Sequence, residues 1–416
     1  MNIKRFLITS MSVATILSAT SVAFAEEPNL DISPNTELTS VELTENVENK
    51  FEAYIQEAIQ DELKLHNVPL SVRLSFTADD SSTSLDSIQD PTLKESISKL
   101  ENAEVTIVNF DENGELTSAE NSNSGDITND FVQVVNKDIE EDSSIQQQSL
   151  NDEVTMLAAP PLPSGGVKLQ NNVSGDGAFH RLTTPATSAS MSYTGAVADS
   201  VTFPSYDIST ATKYGEAGYL YTGFDGKING VDAGFAEVGF GTASSSAGQY
   251  PTAWFPLFHG VVKNGAVKQK GPGSSDTGFW YDTTKPYTAG QTVSGYKVYY
   301  KTNESFLSIR YIIGGNELYV VNFTGIHDYI GMKVKRLTTI GLPLNPAPPQ
   351  TSTFHTGWTT AAKWGNFRFL TNNGNNTAYP GELSGVSDQT CLHGSNIYFL
   401  KNVISSTNRE ESYWIY

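Results

Sequence analysis

The chain contains one cysteine, Cys391, so no disulfide can close within it. A chain that manages without disulfides must rely on a large buried core. Long apolar runs are also missing. The longest, residues 6–19, is short and interrupted, which is too little to cross a bilayer. Basic charge is scarce: 26 Lys and Arg stand against 46 Asp and Glu, a net charge of -20. That balance argues against nucleic acid as a partner. No histidine pair sits at i,i+4 spacing, so neither a zinc site nor any other metal or cofactor is expected. There is no Gly-x-Ser-x-Gly elbow and no Gly-rich phosphate loop with its lysine.

What is present begins with an export signal. Lys4 and Arg5 precede the apolar run, and Ala23-Phe24-Ala25 is a small-x-small cleavage site, so residues 1–25 read as a signal peptide. The expected location is extracellular, free or loosely held at the cell wall, because the closing Tyr413-Trp414-Ile415-Tyr416 has no covalent anchoring signal. Charge then divides the rest. Residues 26–163 hold 30 acidic and 6 basic side chains; residues 164–416 hold 16 acidic and 18 basic. An acidic front is joined to a nearly neutral back.

The front, residues 26–117, reads as a small acidic α+β domain or propeptide. Thr39-x-x-Glu42 is a capping box, and Val47, Phe51, Ile55, Ala58 and Ile59 follow at helical spacing, so a helix is expected over about 41–65. Alternation of Leu70, Val72, Leu74 and Phe76 suggests a strand over 70–77. Asp90-Pro91 starts a second helix through Leu93, Ile97 and Leu100. Residues 105–110 form a strand, 111–114 a turn, and 131–135 an apolar island able to add an edge strand. A core this small is marginal alone. Residues 118–166, polar and then Pro/Gly-rich, read as an interdomain linker.

Residues 167–416 show no helix of ordinary length. Strand-like runs recur at 189–197, 217–224, 233–240, 253–262, 279–282, 332–340, 357–370 and 397–404, with a last strand at the end. At the centre lies YKVYYKTNESFLSIRYIIGGNELYVVNFT, residues 296–324, three β-rich runs separated by polar turns. The fold class is mainly β: a large antiparallel β-sandwich, or jelly roll, preceded by the small α+β region. The layout of 217–224, 235–240, the meander and 364–370 resembles the concanavalin A-like lectin and glucanase jelly roll. The chain also resembles secreted proteins of Bacillus-type, Gram-positive bacteria. The resemblance implies a concave sheet facing glycans, used for binding, hydrolysis or lyase chemistry.

Candidate residues follow from that chemistry. Hydrolysis needs two carboxylates flanking one bond, and Glu216 and Glu237 lie in or beside strand-like runs among glycines and aromatics. The Glu-x-Asp-x-x-Glu signature of one glucanase branch is absent around Glu237. Arg310 alternates away from the core set Leu307, Ile309, Tyr311 and Ile313, so its guanidinium can grip a carboxylate on the outer or concave face. That carboxylate can belong to a uronic acid or to a nearby Glu or Asp. None of His259, His327, His355 and His393 stands in the Gln-x-His strand motif of the lyases. Asp225-Gly226-Lys227-Ile228-Asn229-Gly230 opens like a calcium loop, but Lys227 and Ala236 stand where oxygen ligands belong, so it reads as a hairpin turn. Trp254, Trp280, Trp358, Tyr219 and Tyr221 are candidates for stacking on sugars; the alternative is that they fill the interior. The expected partner is a polysaccharide or cell-wall glycan. The leading reading is a secreted carbohydrate-binding protein. The alternatives are a glycan-degrading hydrolase or lyase, and a structural matrix or spore-coat protein.

Overall fold

A computed structural model describes residues 40–76, 85–111, 114–134, 164–175, 177–188, 190–207, 217–228, 231–242, 253–262, 279–302, 306–324, 331–341, 357–372, 374–405 and 407–416. Among the described residues three α-helices, α1 (Ser40–Leu65), α2 (Leu70–Ser75) and α3 (Pro91–Glu101), precede all the strands. Residues Glu48–Tyr416 form one compact unit. No helix among the described residues is long and apolar enough to cross a membrane.

Two large sheets make a β-sandwich. The larger runs Gly125–Asp126, Leu116–Asn121, Glu104–Phe110, Glu317–Thr324, Phe306–Ile313, Thr292–Thr302, Tyr193–Thr202, Ala362–Gly365, Asn408–Ile415, Ile397–Ser405, Val167–Lys168. The smaller runs Ser387–Cys391, Gly177–Thr183, Lys333–Gly341, Ala217–Ile228, Val231–Gly241, Ala253–Val262, Phe279–Asp282, Phe131–Val134. The expected meander is the middle of the larger sheet. Its second turn reverses at Gly314 and Gly315, whose φ values of 66° and 83° suit residues without a Cβ. Ile228 pairs with Val231, so the Asp225 stretch leads into a hairpin.

Alternation sets the layers. Leu307, Ile309, Tyr311 and Ile313 enter the interior, where they meet Leu220, Phe224, Val238 and Phe240 of the facing sheet. Tyrosines tie the two layers together. The Tyr296 hydroxyl donates to the Val238 carbonyl at 3.2 Å, and Tyr311 donates to Gly239 at 3.1 Å. A ring that buries a large apolar area and still satisfies its hydroxyl across the gap fixes both spacing and register.

The described front strands join the two large sheets. Glu104–Phe110 pairs in parallel with the whole of Glu317–Thr324, from Glu104↔Glu317 to Phe110↔Phe323. Phe131–Val134, the expected edge strand, pairs with Phe279–Asp282 at the end of the smaller sheet. The described front strands Glu104–Phe110 and Phe131–Val134 thus lie one in each layer of the sandwich. The helices cover the larger sheet's outer face: Phe51, Ala58, Ile59 and Leu63 of α1 and Leu93, Ile97 and Leu100 of α3 share a core with Tyr299, Ile312, Leu318 and Val320. Asp90 caps α3 by accepting from Thr92 N at 2.9 Å and Leu93 N at 3.4 Å. The Thr39 capping box lies outside the described residues. One element is corrected: residues 70–75 are helix, not strand. Pro69 sets the entry with φ -54°, and Gln60 of α1 donates to the Arg73 carbonyl. Six residues are too few for a two-residue period to outrank such a start.

Candidate functional site

The outer face of the smaller sheet gathers charge and aromatic rings in register. Thr183, Lys335, Gly223, Glu237 and His259 are successive partners across five adjacent strands. The next row on the same face is Gln389, Arg181, Leu337, Tyr221, Gly239, Leu257 and Tyr281. Beyond it run Phe179, Thr339, Tyr219, Gly241 and Phe255. Each row carries a glycine, and the space left by each missing side chain is used. A Cβ on Gly223 would stand 2.4 Å from Lys335 Cε, one on Gly239 2.5 Å from the Tyr221 Cβ, and one on Gly241 3.1 Å from Tyr219 Cδ1. Gly223 and Gly241 let neighbouring side chains lie across the sheet, while Gly239 lets the next strand's backbone approach, since a Cβ there would stand 2.4 Å from the Leu220 carbonyl oxygen.

Lys335 uses that space to reach Glu237. Its Nζ lies 2.7 Å from Glu237 Oε1 and 2.9 Å from Asp225 Oδ1. On the other side His259 Nδ1 lies 3.0 Å from Glu237 Oε2. Phe235 stands edge-on to His259 with centroids 5.1 Å apart, and Phe279 lies 4.3 Å from the same imidazole. Phe279 also stacks on Tyr219 at 4.7 Å. Burial pushes the Glu237 carboxyl up, but the Lys335 ammonium and His259 outweigh it and hold the pKa at about 2. Burial, opposed by Glu237 and Asp225, leaves the Lys335 pKa raised. Burial lifts the Tyr219 phenol to about 12, and burial with the Glu237 charge lifts Tyr221 further. At neutral pH the cluster therefore holds an ionised carboxylate, a charged ammonium and two neutral phenols. Arg181 reaches Gln389 Oε1 through Nε at 2.9 Å, beside these rows.

The expected site residues are placed as follows. Glu216 lies outside the described residues. Glu237 is 4 % exposed and held ionised, which suits the base or nucleophile of glycoside hydrolysis and not its general acid. Asp225 is bound to the same ammonium. Arg310 lies on an outer face as expected, but on the larger sheet, where it is 5 % exposed. Its Nε and Nη1 donate to Asp61 and Glu57 of α1, each at 2.6 Å, so its carboxylates come from the chain itself. Trp254 and Trp358 are 1 % exposed and belong to the sandwich core; neither offers a ring face to a sugar. Trp254 stacks on Phe203 and donates to the Pro204 carbonyl at 3.2 Å. Trp280 is half-buried and packs on the core near Phe110. Only Tyr219 and Tyr221 share the face of Glu237. Lys335, His259, Asp225 and Arg181 completed the cluster without having been singled out as site residues.

No protein-family model and no curated protein matches the chain. A solved structure of an alginate lyase variant in complex with an alginate trisaccharide is similar at 15% identity and a TM-score of 0.20, over 60% of this chain and 80% of that one. No residue role is transferred from it.

Proposed function

We propose that the protein binds an extracellular polysaccharide on the outer face of its smaller sheet. The observation that supports this is the row Lys335, Gly223, Glu237 and His259, flanked by Tyr219, Tyr221 and the half-buried rings of Phe179, Phe235 and Phe279. Flat rings beside fixed donors and acceptors suit a sugar, which has apolar faces and polar edges. Export to the medium or cell wall, read from residues 1–25, belongs to the same proposal.

A second reading, β-elimination, is favoured by one detail. Neutral phenols at Tyr219 and Tyr221 share this face with the His259 imidazole, and β-elimination needs a proton donor and a proton acceptor of those types. The test is to pass the full chain over immobilised neutral and acidic polysaccharides and to follow ultraviolet absorbance from unsaturated ends. Retention without absorbance, lost in Lys335→Met, is the expected result. Growing absorbance that His259→Ala abolishes replaces binding with lyase activity. Neither retention nor turnover on any polymer overturns the proposal.

A further inference from the structure

The other outer face holds a pocket that the polysaccharide reading does not use. It lies where α1 meets the larger sheet and has a volume of about 190 Å³. Asp61 and Lys64 line it from the helix, and Tyr299, Lys301, Arg310 and Thr194 from the strands. Thr194 owes its place to a register break: Leu370 pairs with Gly195 and Thr371 with Tyr193, so Thr194 is left unopposed in a bulge. Bulges re-aim side chains, and they are frequent beside functional sites.

Among the described residues, two buried hydroxyls in the pocket have no hydrogen-bond partner of good geometry. Thr194 is 6% exposed and Tyr299 5% exposed, and neither oxygen is satisfied. Buried hydroxyls are almost always bonded, so an unsatisfied pair lining one cavity points to a ligand that completes them. Burial, then the Glu62 and Asp61 charges, raise the Tyr299 phenol well above its usual pKa, which keeps it a donor. Two ammonium groups stand nearer the solvent. Lys64 lies 3.8 Å from Asp61 with its side chain 39% exposed, and Lys301 lies 3.6 Å from Glu57 with 52% exposed. Both distances exceed a good hydrogen bond, so donors remain available there. Arg310 is different, since Glu57 and Asp61 already occupy it.

We propose that this pocket binds a small hydroxy-carboxylate of monosaccharide size, with its carboxylate toward Lys64 and Lys301 and its hydroxyls on Thr194 and Tyr299. The volume suits a ligand of monosaccharide size, since drug-sized ligands occupy pockets of roughly 300 Å³ and above. The two ammonium groups select negative charge, and the two buried hydroxyls select a polyhydroxylated body over a bare acid.

The test is calorimetric titration of the full chain with D-glucuronate, with D-glucose and acetate as comparators. Saturable binding of D-glucuronate is expected, with glucose and acetate each weaker by about tenfold or more. Thr194→Val and Lys301→Gln should each weaken D-glucuronate by about tenfold at an unchanged melting temperature. Lys301 is exposed enough that its variant decides the matter if Thr194→Val fails to fold. No saturable binding, equal binding of glucose, or binding that Lys301→Gln leaves unchanged overturns the proposal.

Discussion

The two outer faces of the sandwich both bury cations among carboxylates, but they recruit them differently. On the larger sheet the cations come from strands and the carboxylates from a helix more than two hundred residues away. Arg310 meets Asp61 and Glu57, and Lys297 holds both oxygens of Glu62 at 2.5 and 2.6 Å. Ser96 of α3 adds a third bond to Glu62 at 2.8 Å. On the smaller sheet every partner comes from a neighbouring strand on the same face: Asp225, Glu237, His259 and Lys335. An ion cluster assembled between a helix and a sheet positions the helix. One assembled within a single face ties its own strands together, and it is the one proposed above to meet a ligand.

Acid should abolish both clusters together, and this is the largest effect expected. Glu62 and Glu237 both have pKa values near 2 against 4.5 in an unfolded chain. In Glu62, burial is outweighed by His66 and Lys297; in Glu237, by Lys335 and His259. Because both folded values are depressed, the stability they add is complete above pH 4.5 and is lost as pH falls toward 2. Each carboxylate accounts for on the order of 3 kcal/mol across that window. Urea unfolding measured at successive pH values checks this. A flat profile below pH 4.5 would mean that neither carboxylate is held as described.

Single substitutions should then separate the faces. Arg310→Ala leaves Asp61 buried without its partner and should cost about 3–5 kcal/mol of stability. Polysaccharide retention by the remaining folded protein should not change. Glu237→Gln removes charge but keeps shape, and Lys335 still has Asp225 2.9 Å away. Its stability cost should be smaller, about 1–3 kcal/mol, while retention falls by about tenfold or more. Chemical denaturation paired with affinity chromatography reads both quantities. If Arg310→Ala weakened retention and Glu237→Gln did not, the assignment of the two faces would be reversed.

Much of the sandwich was legible in the chain, and the site was not. Strands 253–262 and 279–282 appear where their residues predict them, and the alternation around Arg310 separates core from outer face correctly. Period two is a local property, so it survives without tertiary knowledge. The site depends on register between strands far apart in sequence. Nothing near Lys335 announces that it will cross Gly223 to reach Glu237. Arg310 showed the same limit from the other side, since its partners lie on α1. The tryptophans misled because ring size suits a core as well as a sugar, and Trp254 and Trp358 are in the core. A glycine within a strand was the available signal; Gly223 marks the place where the Lys335 side chain crosses toward Glu237.

Gly223→Ala tests that signal with the smallest expected effect. The added methyl would come within 2.4 Å of Lys335 Cε and 3.1 Å of Glu237 Cγ. A free lysine would swing aside at little cost, but this ammonium is fixed between Asp225 and Glu237. The chain can keep the backbone and lose the Lys335–Glu237 contact, or keep the contact and bend the strand. The first course should cost about 1 kcal/mol of stability and weaken retention nearly as far as Glu237→Gln does. The second should cost about 3 kcal/mol and leave retention intact. Amide exchange along Ala217–Ile228 distinguishes the courses, because only strand bending raises exchange beside residue 223. We expect the first, since Lys335 has Asp225 to hold it once Glu237 is out of reach.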